Sequence, residues 1–273
     1  MHEFRADLHC HTNCSDGSDD PNMLLRMAKA AGLQGLSITD HDSTSAYSKE
    51  LFAEAKTLGI SLLTGIEISS ELKDTSVHIL GYGYDLTSIS LKEFLVQMQL
   101  CRGNRNRGIL QKLSDRKMTI TEEELKNFAK KKTIGRPHIA QLMVMKGYVG
   151  TIRQAFDQFL GEGKLCYAPG IKFSPKEVIE EIHKAGGKAV LAHPHFYKKG
   201  SFLRQILNLP FDGIECYYSR LAKYLEAPWI KIAKEKGLII TGGSDYHGAF
   251  KPYITLGCSW VGKETFDLLL MRP

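Results

Sequence analysis

The chain alternates short apolar runs with segments of helical periodicity, and no other feature of the sequence limits its possible folds as strongly. Seven apolar runs are typical of β-strands, and they lie at residues 4–8, 35–39, 60–66, 77–80, 189–192, 213–216 and 238–241. Apolar residues recur at helical spacing in residues 21–31, 46–58, 174–185 and 221–236. This alternation predicts parallel strands with crossover helices, and therefore an α/β barrel that is incomplete or distorted.

Residues 91–167 break this rhythm, because they read as successive charged helices without a convincing strand. We predict that they form a small inserted helical domain, and that residues 1–90 and 168–273 form the barrel. Residues 99–117 of the insertion are basic, and residues 130–132 are three lysines. A solvated helix face explains the lysine run, whereas the longer basic segment could contact the phosphates of a nucleic acid.

Composition restricts the class of protein further. The 273 residues are 43% hydrophobic and 24% charged, which is typical of a globular protein, and the net charge of +6 favours an anionic substrate. The start lacks a secretory signal and no apolar run reaches about 18 residues, so we expect a cytoplasmic protein with no membrane partner. Six scattered cysteines without a CxxC pair predict reduced thiols. No protein partner can be inferred.

Histidines and carboxylates recur at or near the ends of the predicted strands. The first strand contains Asp7-Leu8-His9-Cys10-His11, and alternation along an extended chain sends His9 and His11 to the same side while Cys10 faces the core. Further candidates follow or occupy the other strands: Asp16, Asp40, His41, Asp42, Glu67, His78, His193, Asp245 and His247. In an α/β barrel the strand ends meet at one mouth, so these side chains should converge.

Such a cluster predicts metal binding, because buried carboxylates and imidazoles are costly unless a cation compensates their charge. The candidates exceed what one tetrahedral site needs, so we predict two or three divalent ions; nitrogen and oxygen ligands suit Mn, Zn or Fe. Asp7, Asp40 and Asp42 could orient the ligating histidines or could serve ordinary turns. His195 could face the site or the surface, and we expect His2 and His183 to be packed or surface residues rather than ligands.

Six motifs, DLHCHTNCSDG, SITDHD, GIEIS, HILGY, AHP and SDYH, resemble in order those of the PHP (polymerase and histidinol phosphatase) family of metallophosphoesterases. The resemblance implies a distorted (β/α)7 barrel with a trinuclear centre. It assigns one metal to His9, His11, Glu67 and Asp245. It assigns a second metal to Glu67, as the bridge, with His78 and His193. The third is assigned to Asp16, His41 and His247.

Within the family, the insertion's GRPHIA and NRNRGILQKL segments resemble nucleoside 3′,5′-bisphosphate phosphatases that also trim RNA from its 5′ end. That resemblance implies a substrate-capping insertion and a phosphorylated nucleotide or short RNA as substrate. Arg136, His138 and the weaker candidate Lys164 would bind a phosphate, with Arg136 also neutralising its charge. His193, Asp245 or His247 could transfer a proton to the leaving oxygen. A histidinol-phosphate phosphatase and a non-catalytic metal-binding regulatory module remain alternatives.

Overall fold

Seven strands form one sheet in sequence order in the computed structural model, which describes residues 3–130, 133–170, 173–197, 200–219 and 221–271. The strands are β1 (Ala6–Cys10), β2 (Gly35–Ile38), β3 (Ser61–Leu72), β4 (Thr75–Tyr82), β5 (Lys188–Leu191), β6 (Gly213–Tyr218) and β7 (Ile239–Gly243). The last strand lies beside the first, since Asp245 N donates to His9 O at 2.7 Å and His11 N to Tyr246 O at 2.8 Å. The sheet is therefore a nearly closed barrel, which confirms the predicted fold class.

Strand β4 departs from the predicted all-parallel order. It pairs antiparallel with both β3 and β5, whereas the remaining neighbours pair in parallel. Only Lys73 and Asp74 separate β3 from β4, and both have positive φ, of 51° and 61°. A two-residue turn of this kind joins antiparallel strands, because a parallel connection needs a crossover of a dozen or more residues. The reversal turns the first half of β4 toward the mouth.

Ten helices surround or extend the barrel in the described ranges. They are α1 (Pro21–Ala30), α2 (Lys49–Leu58), α3 (Ile89–Ser114), α4 (Glu122–Ala129), α5 (Arg136–Met145), α6 (Ile152–Ala155), α7 (Pro175–Lys184), α8 (Ser201–Leu207), α9 (Lys223–Lys236) and α10 (Lys263–Leu270). Ser174 caps α7: its side chain accepts from Glu177 N, and Glu177 accepts from Ser174 N in return. Helices α8 and α10 were not predicted from the sequence.

The insertion has a hydrophobic cluster of its own. Leu91, Leu95 and Met98, on the first half of α3, pack with barrel residues, whereas Ile109 and Leu113 on its second half pack with α4, α5 and the segment up to Ala168. No described residue of 91–167 is in a strand. These observations agree with an inserted unit, although its second core begins well inside α3. The exact division into domains stays a prediction.

Two further predictions from the sequence can be compared with the structure. All six cysteines are free, and Cys10 is buried in the core between β1 and its neighbours, as predicted. His2 and the last two residues of the lysine run lie outside the described ranges. Among the helices that the structure describes, none combines the length and apolar character needed to cross a bilayer.

Candidate active site at the barrel mouth

Glu67 is the centre of the polar cluster at the mouth. It is 1% exposed, and its two carboxylate oxygens face five imidazoles. Nitrogens of these imidazoles lie 2.8–3.3 Å from a Glu67 oxygen, and they belong to His9, His11, His41, His78 and His193. The antiparallel direction of β4 explains how His78, near the start of that strand and opposite Ser69 on β3, takes part. One carboxylate on β3 therefore joins imidazoles from four other segments of the barrel.

Two more carboxylates complete the cluster. Asp245 Oδ1 lies 3.3 Å from His11 Nε2 and 3.4 Å from His9 Nε2. Asp16 lies 3.5 Å from His247 Nε2, with His11 and His41 nitrogens at 3.6 and 3.7 Å. The structure thus brings together all nine side chains that the sequence analysis assigned to metals.

Their ligand atoms form three overlapping groups that could each hold an ion. The first consists of His9, His11, Glu67 and Asp245, the second of His11, Asp16, His41 and His247, and the third of His41, Glu67 and His78. The first group equals the first predicted ligand set. The second adds His11 to a predicted set, and the third contains His41 where the sequence analysis assigned His193. His193 lies next to this group, with Nε2 3.0 Å from Glu67.

The nitrogen atoms in this cluster suit a cation. Both ring nitrogens of His11 and Nδ1 of His41 are buried and have no hydrogen-bond partner among the described residues, despite carboxylate oxygens 3.2–3.6 Å away. Such lone pairs converge without bonding to one another, which is costly in a buried site unless an ion receives them. Imidazole and carboxylate donors without thiolate are a set that Mn, Zn and Fe accept. The residues therefore fit divalent metal ions.

The charges of the site are strongly coupled. Burial alone would raise the pKa of Glu67, but the surrounding histidines hold that pKa well below its usual range. Burial would raise the pKa of Asp245, and Lys251 and His247 reverse this shift. Burial lowers the pKa of His11, yet the carboxylates of Asp245 and Glu67 raise it to about 9. A metal ion entering the site must therefore displace a proton from His11.

Glu215 is a site residue that the sequence analysis missed. It lies in β6, is 1% exposed, accepts from His193 N at 2.7 Å and lies 2.8 Å from His9 Nδ1. A carboxylate on the second nitrogen fixes the ring and directs Nε2 of His9 toward the cluster. The signal was a lone acidic residue inside the apolar run GIECYY. Charged residues in a buried strand are rare unless they are paired.

The three aspartates that were candidates for orienting histidines do something else. Asp7 accepts from the backbone nitrogens of His9, Ser244 and Gly257, so it fixes main chain rather than an imidazole. Asp40 accepts from Thr12 N and from two hydroxyls. Asp42 pairs with the Arg102 guanidinium and accepts from Ser69 N. Their role is to shape the loops that carry the ligands.

Backbone geometry around β7 allows the close approach of the two ends of the sheet. A Cβ on Gly243 would lie 2.3 Å from His9 N, so only glycine fits beside that strand. The next loop carries Asp245 with a φ of 53°, and His193 at the end of β5 has a φ of 29°. Positive φ at non-glycine residues stores strain, and it often occurs where a side chain must be aimed at a functional site.

A cleft of about 800 Å³ connects the mouth with the insertion. Asp16, His41, His78 and His247 line its barrel side. Its insertion side contains four arginines. Arg153 of α6 is exposed and pairs with Asp157. The other three, Arg102 and Arg105 of α3 and Arg136 of α5, we call the arginine cluster. The sequence analysis includes the two α3 residues in a basic segment on the surface, which is either solvated or in contact with nucleic acid. They are instead 5% and 8% exposed and point into the molecule.

The three arginines are not equivalent. Arg102 is neutralised by Asp42 and also donates to Ser69 Oγ at 2.8 Å. Arg136 donates to Leu160 O at 3.3 Å and its guanidinium lies 5.7 Å from the centre of the Tyr167 ring. Arg105 Nε is buried without a hydrogen-bond partner in the described part of the chain. Burial, Arg102 and Arg136 lower the pKa of Arg105 to about 9, so the residue remains a cation at neutral pH.

The structure separates the predicted phosphate-binding residues. Arg136 reaches the cleft, where Lys251 is also present and contacts Asp245 Oδ2 at 2.6 Å. His138 is 3% exposed beneath the start of α5, where its Nδ1 accepts from Gly135 N at 3.2 Å, and it is not part of the cleft lining. Lys164 is exposed and also outside that lining. No motif in the sequence identified Lys251 as a residue of the cleft.

A nearly closed seven-stranded barrel with six histidines and three carboxylates clustered at its mouth defines the class of metal-dependent α/β-barrel hydrolases. The chain belongs to the PHP domain family, whose pattern matches residues 7–218. It is therefore a metal-dependent phosphoric ester hydrolase.

Relatives that match along most of the chain support this membership. A 5′-3′ exoribonuclease of Haemophilus influenzae is 32% identical over 94% of this chain and 92% of its own length. A 3′,5′-nucleoside bisphosphate phosphatase of Chromobacterium violaceum is 30% identical over 88% of this chain and 86% of its own.

Two solved structures share the complete architecture. A protein of Bifidobacterium adolescentis assigned as a metal-dependent phosphoesterase superposes with a TM-score of 0.87 at 31% identity, covering 97% of this chain and 95% of its own. An amidohydrolase of C. violaceum, solved with sulfate and without metal, also gives 0.87, at 28% identity and 98% coverage of both chains. Because the coverage is nearly complete, the likeness includes the insertion as well as the barrel.

Proposed function

We propose that the enzyme removes the 3′-phosphate of nucleoside 3′,5′-bisphosphates in the cytoplasm and also cleaves mononucleotides from the 5′ end of short RNA. The observation that carries this proposal is the arginine cluster, which faces the metal-binding residues across one cleft. A substrate with two phosphates can place one over the metal cluster and the other on the arginines. The two relatives named for exoribonuclease and bisphosphate phosphatase activity support this substrate class.

The residues at the mouth would hold two or three ions, which we propose to be Mn, Zn or Fe. Nine side chains are assigned as ligands: His9, His11, Asp16, His41, Glu67, His78, His193, Asp245 and His247. When bound, divalent ions supply Lewis acidity, lowering the pKa of water from about 15.7 toward about 7 and offsetting phosphate charge. Glu67 would be the bridging ligand, since it belongs to the first and the third of the three overlapping groups.

The second phosphate is assigned to the insertion. Arg105 is a buried cation in the cleft whose Nε has no hydrogen-bond partner among the described residues, and such a group gains strongly from a bound anion. Arg136 lies beside it with an exposed edge and a planar guanidinium that can bind two phosphate oxygens at once. His138 and Lys164 stay predictions of lesser weight, because neither lines the cleft. Lys251 adds a further cation at the floor.

Proton transfer to the leaving oxygen is assigned to His193 or His247. Asp245 is only the alternative, because Lys251 and His247 hold its pKa well below the usual range and keep it ionised. The second carboxylate oxygen of Asp245 is held by Tyr218 Oη and Lys251 Nζ, both at 2.6 Å. These two donors leave Asp245 Oδ1 to face the histidines, and they fix the angle at which the carboxylate meets the cleft. Arg136 would neutralise charge on the phosphate oxygens.

Histidinol phosphate is the alternative substrate, and the arginine cluster disfavours it. That molecule carries a cationic amine, which would meet three arginines and Lys251 in the same cleft. A non-catalytic regulatory module is disfavoured by the completeness of the ligand set, because buried acids and imidazoles are costly to retain without function.

The test uses protein produced with manganese, with bound metal measured before the assay. Phosphate release is compared for adenosine 3′,5′-bisphosphate, adenosine 3′-monophosphate and histidinol phosphate. We expect the bisphosphate to give the highest kcat/KM, because only it can occupy both anion sites. Selective turnover of histidinol phosphate, or no turnover of any substrate by metal-loaded protein, would show that the proposal is wrong.

A further inference from the structure

A group of three aromatic rings, one of them exposed and two partly buried, lies beside the metal-binding residues. It consists of His195, Phe196 and Tyr218, which we call the aromatic platform. The His195 ring centre is 4.2 Å from that of Phe196 and 4.4 Å from that of Tyr218, and Phe196 and Tyr218 meet edge to face at 5.5 Å. Phe196 is 63% exposed although its neighbours belong to the active centre.

The platform and the arginine cluster lie on different sides of the metal-binding residues. His78 lines the arginine cleft, and its ring is 5.3 Å from that of His193. The His193 ring is in turn 5.3 Å from Phe196. Among the residues that the structure describes, neither His193 nor any platform residue lines the arginine cleft. A molecule that spans both regions must therefore pass over Glu67 and its histidines.

The backbone holds the platform in a fixed position. The left-handed φ of His193 and the proline that follows turn the chain sharply at the end of β5, and Phe196 N donates to His193 O at 3.1 Å. The same turn therefore sets the positions of His193 and Phe196. Tyr218 is anchored independently, through its hydroxyl bond to Asp245.

We propose that the aromatic platform binds the nucleobase of the second nucleotide of single-stranded RNA, the one on the 3′ side of the scissile phosphate, which keeps that phosphate after the O3′–P bond of the first nucleotide is broken. This inference rests on the proposed function, which places the 5′-terminal nucleotide in the arginine cleft. The phosphodiester to be cut then lies over the metal cluster, and the rest of the strand continues toward the far side, where Phe196 is exposed. Aromatic rings bind bases of any identity by stacking, as a nuclease without sequence preference requires.

The experiment uses the full-length metal-loaded enzyme and three substrates: adenosine 3′,5′-bisphosphate, a short 5′-phosphorylated RNA, and the same RNA with an abasic second nucleotide. The variants are Phe196→Ala, Phe196→Leu and Phe196→Trp. The readout is kcat/KM for the RNA divided by kcat/KM for the bisphosphate, because this ratio cancels any disturbance of His193. Leucine keeps the apolar volume without a ring, and tryptophan keeps a ring.

We expect the alanine variant to lower this ratio roughly 5-fold to 100-fold, in line with stacking on one aromatic side chain. The tryptophan variant should retain most of the ratio, and leucine should fall between the two. The abasic RNA should lose activity with wild-type enzyme and should be insensitive to Phe196→Ala, because the interacting pair is already broken.

Three outcomes would overturn the inference. An unchanged ratio in Phe196→Ala would remove the platform from RNA binding. An equal effect of this substitution on normal and abasic RNA would show that Phe196 contacts something other than a base. Wild-type enzyme that hydrolyses the bisphosphate but not RNA would refute the binding site for the second nucleotide while the phosphatase proposal stood. Inactivity on both substrates would instead remove the proposed function itself.

Discussion

The barrel mouth and the arginine cluster face the same cleft, but the chain builds them by different means. The mouth is assembled from side chains at or near the ends of strands, whose direction and spacing the sheet dictates. The arginines come from two helices of the insertion, where a residue reaches the cleft only if its helix is rotated and placed correctly. On the proposed function, the chemistry is therefore held by the strands of the barrel, and substrate selection by helices whose placement depends on tertiary packing.

Contacts between the two regions are few but specific. Arg102 on α3 pairs with Asp42, the residue after His41, and Gln99 donates to Asp42 O at 3.0 Å. Thr133 N donates to Cys14 O at 3.1 Å, which joins the insertion to the loop that leads to Asp16. The insertion thus braces two loops that carry proposed metal ligands. Substitutions can separate these supporting contacts from substrate binding.

Replacing Glu67 should have the largest effect and should act on the mouth alone. In Glu67→Gln the anionic bridge between five imidazoles is lost, and we expect activity toward every substrate to fall roughly 10³-fold or more, since metal-derived stabilisation amounts to several kcal/mol. The measurements are bound metal per chain and kcat. Glu50→Gln, on the exposed face of α2, is the matched control. Normal metal content and rate in Glu67→Gln would refute the central role of this residue.

Replacing Arg105 should act on the other region. In Arg105→Met we expect kcat/KM for adenosine 3′,5′-bisphosphate to fall roughly 10-fold to 150-fold, the loss of one buried charge-assisted hydrogen bond. Hydrolysis of adenosine 3′-monophosphate should change much less, because that substrate has no second phosphate. Arg107→Met provides the control, since Arg107 is exposed on the same helix. Equal losses on both substrates would mean that Arg105 supports the fold rather than the second phosphate.

Replacing Glu215 tests whether the mouth depends on support beneath its ligands. Glutamine keeps the size of the side chain but weakens its bond to His9 Nδ1, which lies 2.8 Å away. We expect a roughly 10-fold to 100-fold loss of metal affinity, as is usual for partners that orient a ligating histidine. Competition with a chelator measures this loss, and Glu235→Gln, exposed on α9, serves as the comparison. Unaltered affinity would show that the orientation of His9 is set by packing alone.

The same contrast explains what the sequence could predict. Strand ends carry a periodic signal, so His9, His11 and the acidic groups that follow other strands could be assigned before any coordinates. The antiparallel β4 was missed because its strand was predicted too short, which hid the two-residue turn before it. Glu215 was missed because one acid in an apolar run has no spacing to recognise.

Fewer functional residues of the insertion could be predicted from the sequence. Arg102 and Arg105 are three residues apart and share one face of α3, but the neighbouring Arg107 and Arg116 are exposed, so the basic segment gave no indication of which arginines turn inward. Arg136 was found only through its resemblance to a family motif. Which face of a helix meets a cleft depends on tertiary packing, which local periodicity predicts poorly in a helix with many charges.

Replacing Lys164 should have the smallest effect. The substitution tests how far the substrate-binding surface of the insertion extends. Its side chain is exposed and outside the cleft, although the sequence resemblance placed it in the anion site. Lys164→Met should therefore change kcat/KM for the bisphosphate by no more than about twofold, the usual limit for an exposed substitution. Arg136→Met, measured in parallel, should lower it at least roughly tenfold through loss of a charged hydrogen bond. A tenfold effect at Lys164 would instead mean that the segment after α6 closes over bound substrate, and that the second phosphate site extends beyond the three arginines.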